Sequence, residues 1–363
     1  MNERELLLLF SGCEGLGARC LAKLMNVCGG LAAIAQHPEL WAKAPGIGPR
    51  RHQLLTEAFR RRLGAEIEEQ CQETGIRALT QVDDDYPQRL HDLYDPPPAI
   101  FVRGSMEALR RPVAAAVIGT RRPTPYGVTV ARQLGRELSG AGATVVSGLA
   151  RGIDGAAHLG AVEGGGPTVA VLGAGLDRLY PAEHYSLTEA ILAHGGALLS
   201  EQPPGRPPLR GNFPARNRLI AALSAIVVVV EAGRRSGALI TVGEALELGR
   251  EVWAVPGPIN RPESEGTNRL IADGARPLLN VEEPLAELGL RAVGQPEITG
   301  DNEADRMLKA LLGHAPTADE LALSLRLPAG RVMALLGRLE AEGAVERLPG
   351  GRFVSFVRPR SRE

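Results

Sequence analysis

Lysine is almost absent from this chain, and its scarcity excludes two kinds of enzyme. Of the 363 residues only Lys23, Lys43 and Lys309 are lysine, so nearly all of the 41 basic side chains are arginine. A Walker-type phosphate loop and a Schiff-base enzyme both depend on a lysine side chain. The sequence therefore predicts neither ATP hydrolysis at a Walker-type site nor Schiff-base catalysis in its central region.

Cysteines and aromatic residues are also sparse. The four cysteines lie in the amino-terminal fifth of the chain, at spacings unlike a paired zinc knuckle: Cys13, Cys20, Cys28 and Cys71. We expect reduced, mostly buried thiols, and we interpret the acidic run at residues 83–85 as a solvated turn, so we predict no metal and no cofactor. Aromatic residues make up 4% of the chain, which argues against a base-stacking platform of the oligonucleotide-barrel type.

Long apolar runs are missing as well. No stretch of about 18 apolar residues occurs, and the leucine run near the start follows no basic segment. We therefore expect no membrane span, no signal peptide and a cytoplasmic location. The formal net charge of -1 excludes a globally basic nucleic-acid binder, so a nucleic-acid site would have to come from local clustering of charge.

The length of the chain predicts two or three domains. Residues 1–75 have the pattern of short helices separated by glycine-centred turns. The turn at residues 44–50 resembles a helix-hairpin-helix turn, which would hold a phosphate at a helix start; the alternative is a helical packing module of the SAM-like kind. Residues 76–105 are rich in proline and predict two strands that lead into a sheet, within a domain at residues 76–290.

Residues 113–255 repeat a unit of one strand, one glycine-containing turn and one helix. Strands are predicted at residues 113–118, 144–146, 168–172, 197–199, 225–230 and 251–255. Strands and helices that alternate at this spacing predict an α/β fold with a mainly parallel, doubly wound sheet.

Arginines follow most of these predicted strands. They are Arg121, Arg122, Arg151, Arg178, Arg206, Arg210, Arg216, Arg218, Arg234 and Arg235. Because the carboxyl ends of parallel strands meet at one edge of a sheet, we expect these side chains to share that edge with helix N-termini. Guanidinium groups bind phosphates through paired hydrogen bonds. The sequence therefore predicts a polynucleotide ligand bound by phosphate contacts together with backbone and arginine contacts to bases, with little sequence preference and a steep dependence on salt.

Two other chemistries fit the sequence less well. The Gly-x-Gly sequence at residues 173–175 follows a strand, as in a dinucleotide-binding fingerprint, but Arg178 occupies the third glycine position. Asp154 and His158 are four residues apart on one helix, yet no nucleophile elbow surrounds the nearby Ser147. We interpret Asp154 as a carboxylate that stabilises its helix and His158 as a packing residue or a contact of Asp154; an acid–base pair is the alternative.

The composition changes near residue 290. Residues 291–302 predict a linker, and residues 303–363 predict a winged-helix domain with helices at 317–325 and 328–342 and strands at 344–348 and 353–356. Arg331 and Arg338 of the second helix stand beside Glu340 and Glu342. We therefore expect this domain to contact protein or, weakly, duplex DNA, rather than to recognise a specific DNA sequence.

Five separated motifs together resemble a known family. They are Ile118-Gly-Thr-Arg121, Ser147-Gly-Leu-Ala-Arg-Gly-Ile-Asp154 with Ala156-Ala-His158, Asn212-Phe-Pro-Ala-Arg-Asn-Arg218, Glu231 to Thr241, and Val255-Pro-Gly257. In this order, over about residues 82–279, they resemble the DNA-processing protein A family, also called Smf. The resemblance implies a Rossmann-like domain that binds single-stranded DNA without cutting it, protects incoming DNA, forms a homodimer and helps to load RecA recombinase during natural transformation.

The resemblance also implies where DNA would bind. The family's contacts correspond to Arg121, Arg151 and the segment with Arg216 and Arg218; position 151 commonly holds lysine in the family, and Thr267 stands where many relatives have cysteine. With the neighbouring strand-exit residues, the predicted DNA-binding set is Gly119, Thr120, Arg121, Arg122, Ser147, Gly148, Arg151, Gly152, Asn212, Phe213, Arg216, Asn217, Arg218, Arg234, Ser236 and Gly237.

One alternative of a different class is a nucleotide-processing enzyme. Phosphoribohydrolases resemble this chain in using a Rossmann-like sheet with a glycine-rich turn and a following glutamate. Here the turn would be residues 233–237 with Glu244, but the Pro-Gly-Gly-x-Gly-Thr sequence of those enzymes is missing. We therefore expect a binding protein with no catalytic residues.

Overall fold

The computed structural model of the chain describes residues 1–291, 302–311, 315–341 and 344–355. It divides into two compact units, Met1–Arg291 and Ala292–Glu363. Of the linker predicted at residues 291–302, residues 292–301 lie outside the described residues.

Five α-helices form the amino-terminal module: α1 Glu3–Gly12, α2 Ala18–Cys28, α3 Leu31–Gln36, α4 Pro49–Arg61 and α5 Leu63–Thr74. Asn2 caps α1, since its side-chain oxygen accepts a hydrogen bond from the backbone N–H of Glu5 at 2.7 Å. Pro49 begins α4, where its missing N–H breaks no helical hydrogen bond. The apolar faces of α1, α2 and α4 meet in a core that contains Phe10, Leu24 and Trp41.

The central sheet contains nine strands within residues 1–291, all of which are described. They are β1 Arg77–Thr80, β2 Ala99–Gly104, β3 Ala114–Ile118, β4 Thr144–Ser147, β5 Thr168–Leu172, β6 Ala197–Ser200, β7 Ile226–Val229, β8 Glu251–Ala254 and β9 Arg276–Pro277. Their order is β1-β2-β6-β5-β4-β3-β7-β8-β9. The strands from β6 to β9 in this order are parallel, whereas β1 and β2 pair antiparallel at one edge.

Helices connect and cover the strands. They are α6 Met106–Arg110, α7 Pro125–Gly140, α8 Ile153–Glu163, α9 Tyr185–Ala193, α10 Asn212–Ala215, α11 Asn217–Leu223, α12 Ala238–Glu247, α13 Glu265–Ala272 and α14 Glu282–Glu287. The predicted α/β, doubly wound, mainly parallel sheet is confirmed. Each strand predicted between residues 113 and 255 is present, and its ends differ from the prediction by at most one residue.

Two hydrophobic cores hold the helices on the two faces of the sheet. Strand β7 is apolar throughout and completely buried, as expected for a central parallel strand covered on both sides. Val227 and Val229 pack with α11 and α12 on one face, whereas Val228 packs with α7 and α8 on the other. Burying a valine side chain contributes about 1.5 to 3 kcal/mol, so this one strand stabilises both helical layers.

The amino-terminal module packs on the β1–β2 end of the sheet. Leu8 of α1 and Ile67 and Cys71 of α5 share a core with Phe101 of β2 and Leu198 of β6. The module and the sheet are therefore parts of one compact unit.

The chain direction across the sheet reverses beside β3. From β3 the chain passes outward through β4 and β5 to β6, then returns to place β7 on the other side of β3 and continues to β8 and β9. Loops after β3 and β7 consequently diverge at this reversal. In open α/β sheets such a switch point leaves a crevice at the carboxyl ends of the strands, where ligands bind.

The second unit has the element order of a winged helix. It contains α15 Glu303–Ala310, α16 Ala318–Leu325, α17 Ala329–Ala341, β10 Val345–Leu348 and β11 Arg352–Ser355, with β10 and β11 antiparallel. The sequence predicted α16, α17 and both strands, but no helix was predicted at α15. Asn302 caps α15 by accepting a hydrogen bond from the N–H of Asp305 at 2.9 Å. The last predicted strand residue, Phe356, lies outside the described residues.

Candidate functional site

A cavity of about 660 Å³ opens at the switch point between β3 and β7; we call it the switch-point cavity. It is lined by Ile118, Gly119, Thr120, Arg121, Arg122, Ala150, Asp154, Tyr180, Arg210, Phe213, Pro214, Arg216, Asn217, Ile220, Ser236, Gly237, Ala238, Ile240 and Thr241. Its lining therefore includes four arginines and, as the single carboxylate, Asp154.

The loop after β3 brings two arginines to the cavity. The N–H of Thr120 donates to the carbonyl of Glu231 at 2.7 Å, and its carbonyl accepts from the N–H of Ile153 at 3.2 Å. These two bonds hold the loop against the segment that follows β7 and against the start of α8. Arg121 and Arg122 follow at once and are exposed, so the loop holds two guanidinium groups at the mouth of the cavity.

Three exposed arginines of the cavity make no ion pair with any described residue. Arg121, Arg122 and Arg210 line the cavity without a carboxylate partner. The exposed Arg234 and Arg235, in the loop after β7, also have no such partner. Unpaired guanidinium groups at one edge favour a ligand with several negative charges, because each group can form charge-assisted hydrogen bonds without leaving another partner.

Two aromatic rings form one wall beside Arg121. The rings of Tyr180 and Phe213 are 5.4 Å apart between centroids and tilted by 55°. The guanidinium carbon of Arg121 lies 5.7 Å from the centroid of the Phe213 ring, within the range of a cation–π contact. This wall also borders a small recess lined by Gly148, Ala150, Arg151 and Pro181, among others.

The sequence predicts that the segment at residues 212–218 directs its arginines toward the ligand. Arg216 points into the protein instead. The segment folds into α10 and the start of α11, and this turns Arg216 inward, so that the residue is only 5% exposed. Its Nη1 donates to the carbonyl of Gly148 at 2.6 Å and to the carbonyl of Val171, and its Nε donates to Oδ1 of Asn217 at 3.1 Å. Most of the guanidinium is therefore bonded to the protein itself.

Arg216 and Asp154 are two buried groups of the cavity lining that interact electrostatically. Burial lowers the pKa of Arg216 to about 10, and the nearby Asp154 opposes that change. Burial raises the pKa of the Asp154 carboxyl, while Arg216 and the backbone N–H groups of Ala150 and Gly148 oppose the rise. Each charge thus offsets part of the desolvation cost of the other.

Arg218 points to a second cavity, on the opposite side of α10. Its Nε lies 3.3 Å from Oδ1 of Asp95 and its Nη2 lies 2.5 Å from Oε1 of Glu201. Burial raises the pKa of Glu201, and Arg218 opposes the rise. This cavity of about 480 Å³ also includes Asn212 and residues of α1 and α2. Arg218 is therefore paired with two carboxylates and does not line the switch-point cavity.

Arg151 is exposed but paired. It donates to both carboxylate oxygens of Glu183, with Nη2 2.8 Å from Oε2. More than half of the surface of each side chain remains exposed. Such a surface pair is weak, because water and salt screen it, so the guanidinium can exchange Glu183 for another anion.

The predicted residues fall into three groups. Those in the switch-point cavity are Gly119, Thr120, Arg121, Arg122, Phe213, Arg216, Asn217, Ser236 and Gly237, while Gly148 and Arg151 line the adjoining recess. Asn212 and Arg218 line the second cavity. Ser147, Gly152 and Arg234 line none of these three cavities; Ser147 is buried and its hydroxyl donates to the carbonyl of Val117 at 2.6 Å.

The predicted set omits several residues of the cavity lining, among them one arginine and one tyrosine. Arg210 and Tyr180 line the switch-point cavity. Arg210 is one of the strand-exit arginines, and its position just before the Asn-Phe-Pro segment is the sequence signal for it. The carboxylates that neutralise predicted contacts, Glu183 and Glu201, carried no such signal, because they follow no motif in the sequence.

The Asp154 and His158 pair does not form a direct hydrogen bond. Oδ2 of Asp154 accepts from the N–H of Gly148 at 3.2 Å, whereas Nδ1 of His158 lies 2.7 Å from the hydroxyl of Thr168. His158 is completely buried, and burial lowers its pKa to about 3. Among the described residues no group of three or more His, Cys, Asp or Glu side chains has the arrangement of a metal site.

Comparisons with known proteins agree with this arrangement. The family model described as DNA recombination-mediator protein A matches residues 77–289, and the model of the DprA winged helix domain matches residues 293–351. Protein Smf of Escherichia coli K12 is 42% identical over 277 residues, which cover 73% of this chain and 74% of that protein. DNA processing protein DprA of Bacillus subtilis is 40% identical over 62% of this chain and 75% of that protein.

Solved structures are similar as well. The crystal structure of DNA processing protein A from Streptococcus pneumoniae matches with a TM-score of 0.67 and 33% identity, over 79% of this chain and 98% of that chain. The structure of DNA processing protein A from Helicobacter pylori, which concerns its single-stranded DNA binding mode, matches with a TM-score of 0.54 and 34% identity, over 59% of this chain and 95% of that chain. None of the helices in the described parts of the chain combines the length and the apolar composition needed to cross a bilayer.

Proposed function

The chain belongs to the DNA-processing protein A family of recombination mediators, and from this premise we propose that it binds single-stranded DNA at the switch-point cavity through exposed arginines. The role in DNA processing and recombination comes with the family. The ligand, the site and its residues are the proposal.

One observation carries this proposal. Arg121, Arg122 and Arg210 converge on the switch-point cavity, are exposed and have no carboxylate partner among the described residues. Asp154, the single carboxylate of the lining, is buried and interacts electrostatically with Arg216. The cavity therefore offers net positive charge to a phosphate backbone, although the whole chain has a formal net charge of -1.

We assign the direct phosphate contacts to the exposed arginines. Arg121, Arg122 and Arg210 can bind without losing a partner, and Arg151 has only a solvent-exposed pair to break. The start of α12, near Ser236 and Gly237, borders the same cavity, where the positive end of the helix dipole favours an anion. Because these contacts are made to phosphates, we expect little preference for one base over another.

A binding titration tests the site. Fluorescein-labelled oligothymidylate is titrated with the full chain and with Arg121→Ala, at about 50 mM and about 200 mM salt. We expect Arg121→Ala to weaken binding about tenfold or more, since a charge-assisted hydrogen bond contributes about 1.5 to 3 kcal/mol. The slope of log affinity against log salt should fall by about 0.7 for the one lost phosphate contact.

Arg331→Ala is the matched control. Arg331 is also an exposed arginine, but it lies in the second unit and donates to Glu303 at 2.7 Å. We expect its affinity and salt slope to equal those of the unchanged protein. Equal affinities for Arg121→Ala and Arg331→Ala would contradict the proposed site, and stronger binding of duplex than of single-stranded DNA would contradict the proposed ligand.

We propose that the protein has no enzymatic activity. Asp154 is bonded to backbone N–H groups, and Glu244, the candidate glutamate of a phosphoribohydrolase, does not line the switch-point cavity. Incubation with nucleoside monophosphates followed by chromatography of the free bases separates the two functions. Release of base would support the phosphoribohydrolase alternative, whereas length-dependent oligonucleotide binding without turnover supports the mediator.

The remaining parts of the proposal concern partners and setting. We propose that the protein forms a homodimer, protects incoming single-stranded DNA in the cytoplasm and helps to load RecA recombinase during natural transformation. Family membership supports this assignment. Light scattering of the purified chain tests the dimer, and RecA-dependent strand exchange on DNA coated with single-strand-binding protein tests the loading step, which should require added protein.

A further inference from the structure

We propose that Arg216 and Asp154 are positioning residues for single-stranded DNA: together they hold the turn at residues 148–152 in its binding shape, and Arg216 makes no phosphate contact. We call residues 148–152 the Gly148 turn. This inference rests on the proposed function, because the turn borders the switch-point cavity and contributes Arg151 to the adjoining recess.

The Gly148 turn has a conformation that needs support. Leu149 has a φ of 55°, in the left-handed region, although it is not a glycine. Such a conformation costs about 1 to 2 kcal/mol for a residue with a Cβ. The Leu149 side chain is completely buried, so the backbone is turned to place an apolar group in the core while the neighbouring Ala150 and Arg151 remain at the edge of the site.

Asp154 holds the turn from inside. Its Oδ2 accepts hydrogen bonds from the N–H of Gly148 at 3.2 Å and of Ala150 at 3.4 Å, on either side of Leu149. On the other side, Nδ1 of His184 donates to the carbonyl of Leu149 at 2.9 Å. The backbone of the turn is thus fixed at three successive residues.

Arg216 connects this turn to the rest of the sheet. Its Nη1 joins the carbonyl of Gly148, which follows β4, to the carbonyl of Val171, which lies in β5. Its charge opposes the desolvation of Asp154 at the start of α8. One guanidinium therefore joins the ends of two strands through Nη1 and acts electrostatically on the start of a helix.

Gly148 packs closely against the side chains of Arg216 and Asp154. A Cβ placed on Gly148 would clash with Nη2 of Arg216 and would lie 2.6 Å from Oδ2 of Asp154. A phosphate contact through Nη1 of Arg216 would require its bonds to the carbonyls of Gly148 and Val171 to break. Arg121 and Arg122, in contrast, are exposed and have no carboxylate partner among the described residues.

The salt dependence of binding separates a positioning role from a phosphate contact. Labelled oligothymidylate is titrated with the full chain, Arg121→Ala and Arg216→Gln over a series of salt concentrations, and folding is checked by circular dichroism. A lost phosphate contact lowers the slope by about 0.7. We expect this decrease for Arg121→Ala, and for Arg216→Gln we expect an affinity loss of about tenfold at an unchanged slope.

Two further variants separate an effect on DNA binding from a loss of folding. Arg216→Gln leaves Asp154 as an unpaired buried charge, which is strongly destabilising. Arg216→Gln with Asp154→Asn removes both charges, and Gly148→Ala keeps both but displaces the turn. For each of these we again expect weaker binding at the slope of the unchanged protein, with Gly148→Ala giving faster hydrogen exchange at the N–H groups of the Gly148 turn than at those of β7.

Two outcomes would overturn this proposal. A slope that falls by about 0.7 in Arg216→Gln, and also in the double variant, would make Arg216 a phosphate contact. Unchanged affinity in a folded Arg216→Gln or Gly148→Ala variant would reduce the pair to a purely structural role. The proposed function fails by a different result, namely an Arg121→Ala variant that binds as tightly as the unchanged protein.

Discussion

The carboxylate of Glu231 joins the two strand ends that form the switch point by accepting two hydrogen bonds from Thr124. The N–H of Thr124 donates to Oε2 at 2.8 Å and its hydroxyl donates to Oε1 at 2.5 Å. Thr124 is also the N-cap of α7, since its hydroxyl oxygen accepts from the N–H of Gly127 at 3.2 Å. The loop that carries Arg121 and Arg122 is therefore fastened to the end of β7.

Removal of the Thr124 hydroxyl tests this connection. Thr124→Val keeps the side-chain shape, but it leaves the buried carboxylate of Glu231 with one donor fewer and the N–H of Gly127 without its cap. We expect a loss of about 1 to 3 kcal/mol in the free energy of unfolding, measured by urea denaturation. Thr129→Val is the control, because that exposed hydroxyl donates only to the carbonyl of Pro125. The same loss in both variants would contradict the role assigned to Thr124.

Glu183 competes with DNA for Arg151 if the proposed site is correct. Glu183 occupies both arms of the Arg151 guanidinium in the free protein. Glu183→Gln removes a negative charge from the edge of the site, so we expect tighter binding of oligothymidylate by about twofold to fivefold at low salt, and a smaller gain at high salt. The free energy of unfolding should not change, because both side chains are exposed.

A double-mutant cycle makes this prediction specific. In the Arg151→Ala background, Glu183→Gln has no guanidinium to release, so its gain in affinity should largely disappear. An equal gain in both backgrounds would mean that Glu183 acts by long-range repulsion and that Arg151 does not contact the DNA.

His158 predicts a dependence of stability on pH. Burial lowers its pKa from 6.5 to about 3 in the folded protein, so the unfolded chain takes up a proton at a pH where the folded protein does not. Stability from this group is therefore complete above pH 6.5 and declines as the pH falls. Between pH 7 and pH 5 the loss is about 2 kcal/mol.

Replacement of His158 isolates this contribution. We expect His158→Gln to be less stable than the unchanged protein at pH 7, because Nδ1 of His158 is 2.7 Å from the Thr168 hydroxyl, but to lose less stability between pH 7 and pH 5. Urea denaturation at the two pH values measures the difference. His194→Gln, at an exposed position, should keep the full pH dependence. Parallel pH profiles for His158→Gln and the unchanged protein would contradict the prediction.

The sequence predicts the sheet well because buried parallel strands have a strong pattern. Runs such as the one in β7 contain only apolar residues, and the glycine-containing turns mark where each strand ends. The sequence does not predict helix α15, because its apolar residues come directly after the linker. The helix cap at Asn302 is nevertheless a usable signal.

The site is less predictable than the fold. The sequence places Arg121, Arg216 and Arg218 at strand exits alike, yet only Arg121 is exposed and unpaired. Whether an arginine faces a ligand depends on the bend at α10 and on carboxylates that are distant in sequence: Asp95 is 123 positions from Arg218, and their pairing depends on the tertiary fold. Motif position therefore identifies the edge of the sheet, while packing decides which side chains are free to bind.

The second unit should contribute little to the affinity for single-stranded DNA. The switch-point cavity lies entirely within Met1–Arg291, and the second unit has a hydrophobic core of its own around Leu308, Leu321 and Leu336. We expect deletion of Ala292–Glu363 to leave the affinity for oligothymidylate nearly unchanged. Arg121→Ala in the shortened chain should weaken binding by the same factor as in the full chain, because the two changes affect separate units. Fluorescence titration of the four proteins, each with its thermal unfolding midpoint recorded, measures both effects. If the shortened chain stays folded and loses most of its affinity, or if Arg121→Ala has no effect in it, the winged helix takes part in binding single-stranded DNA and the switch-point cavity is not sufficient.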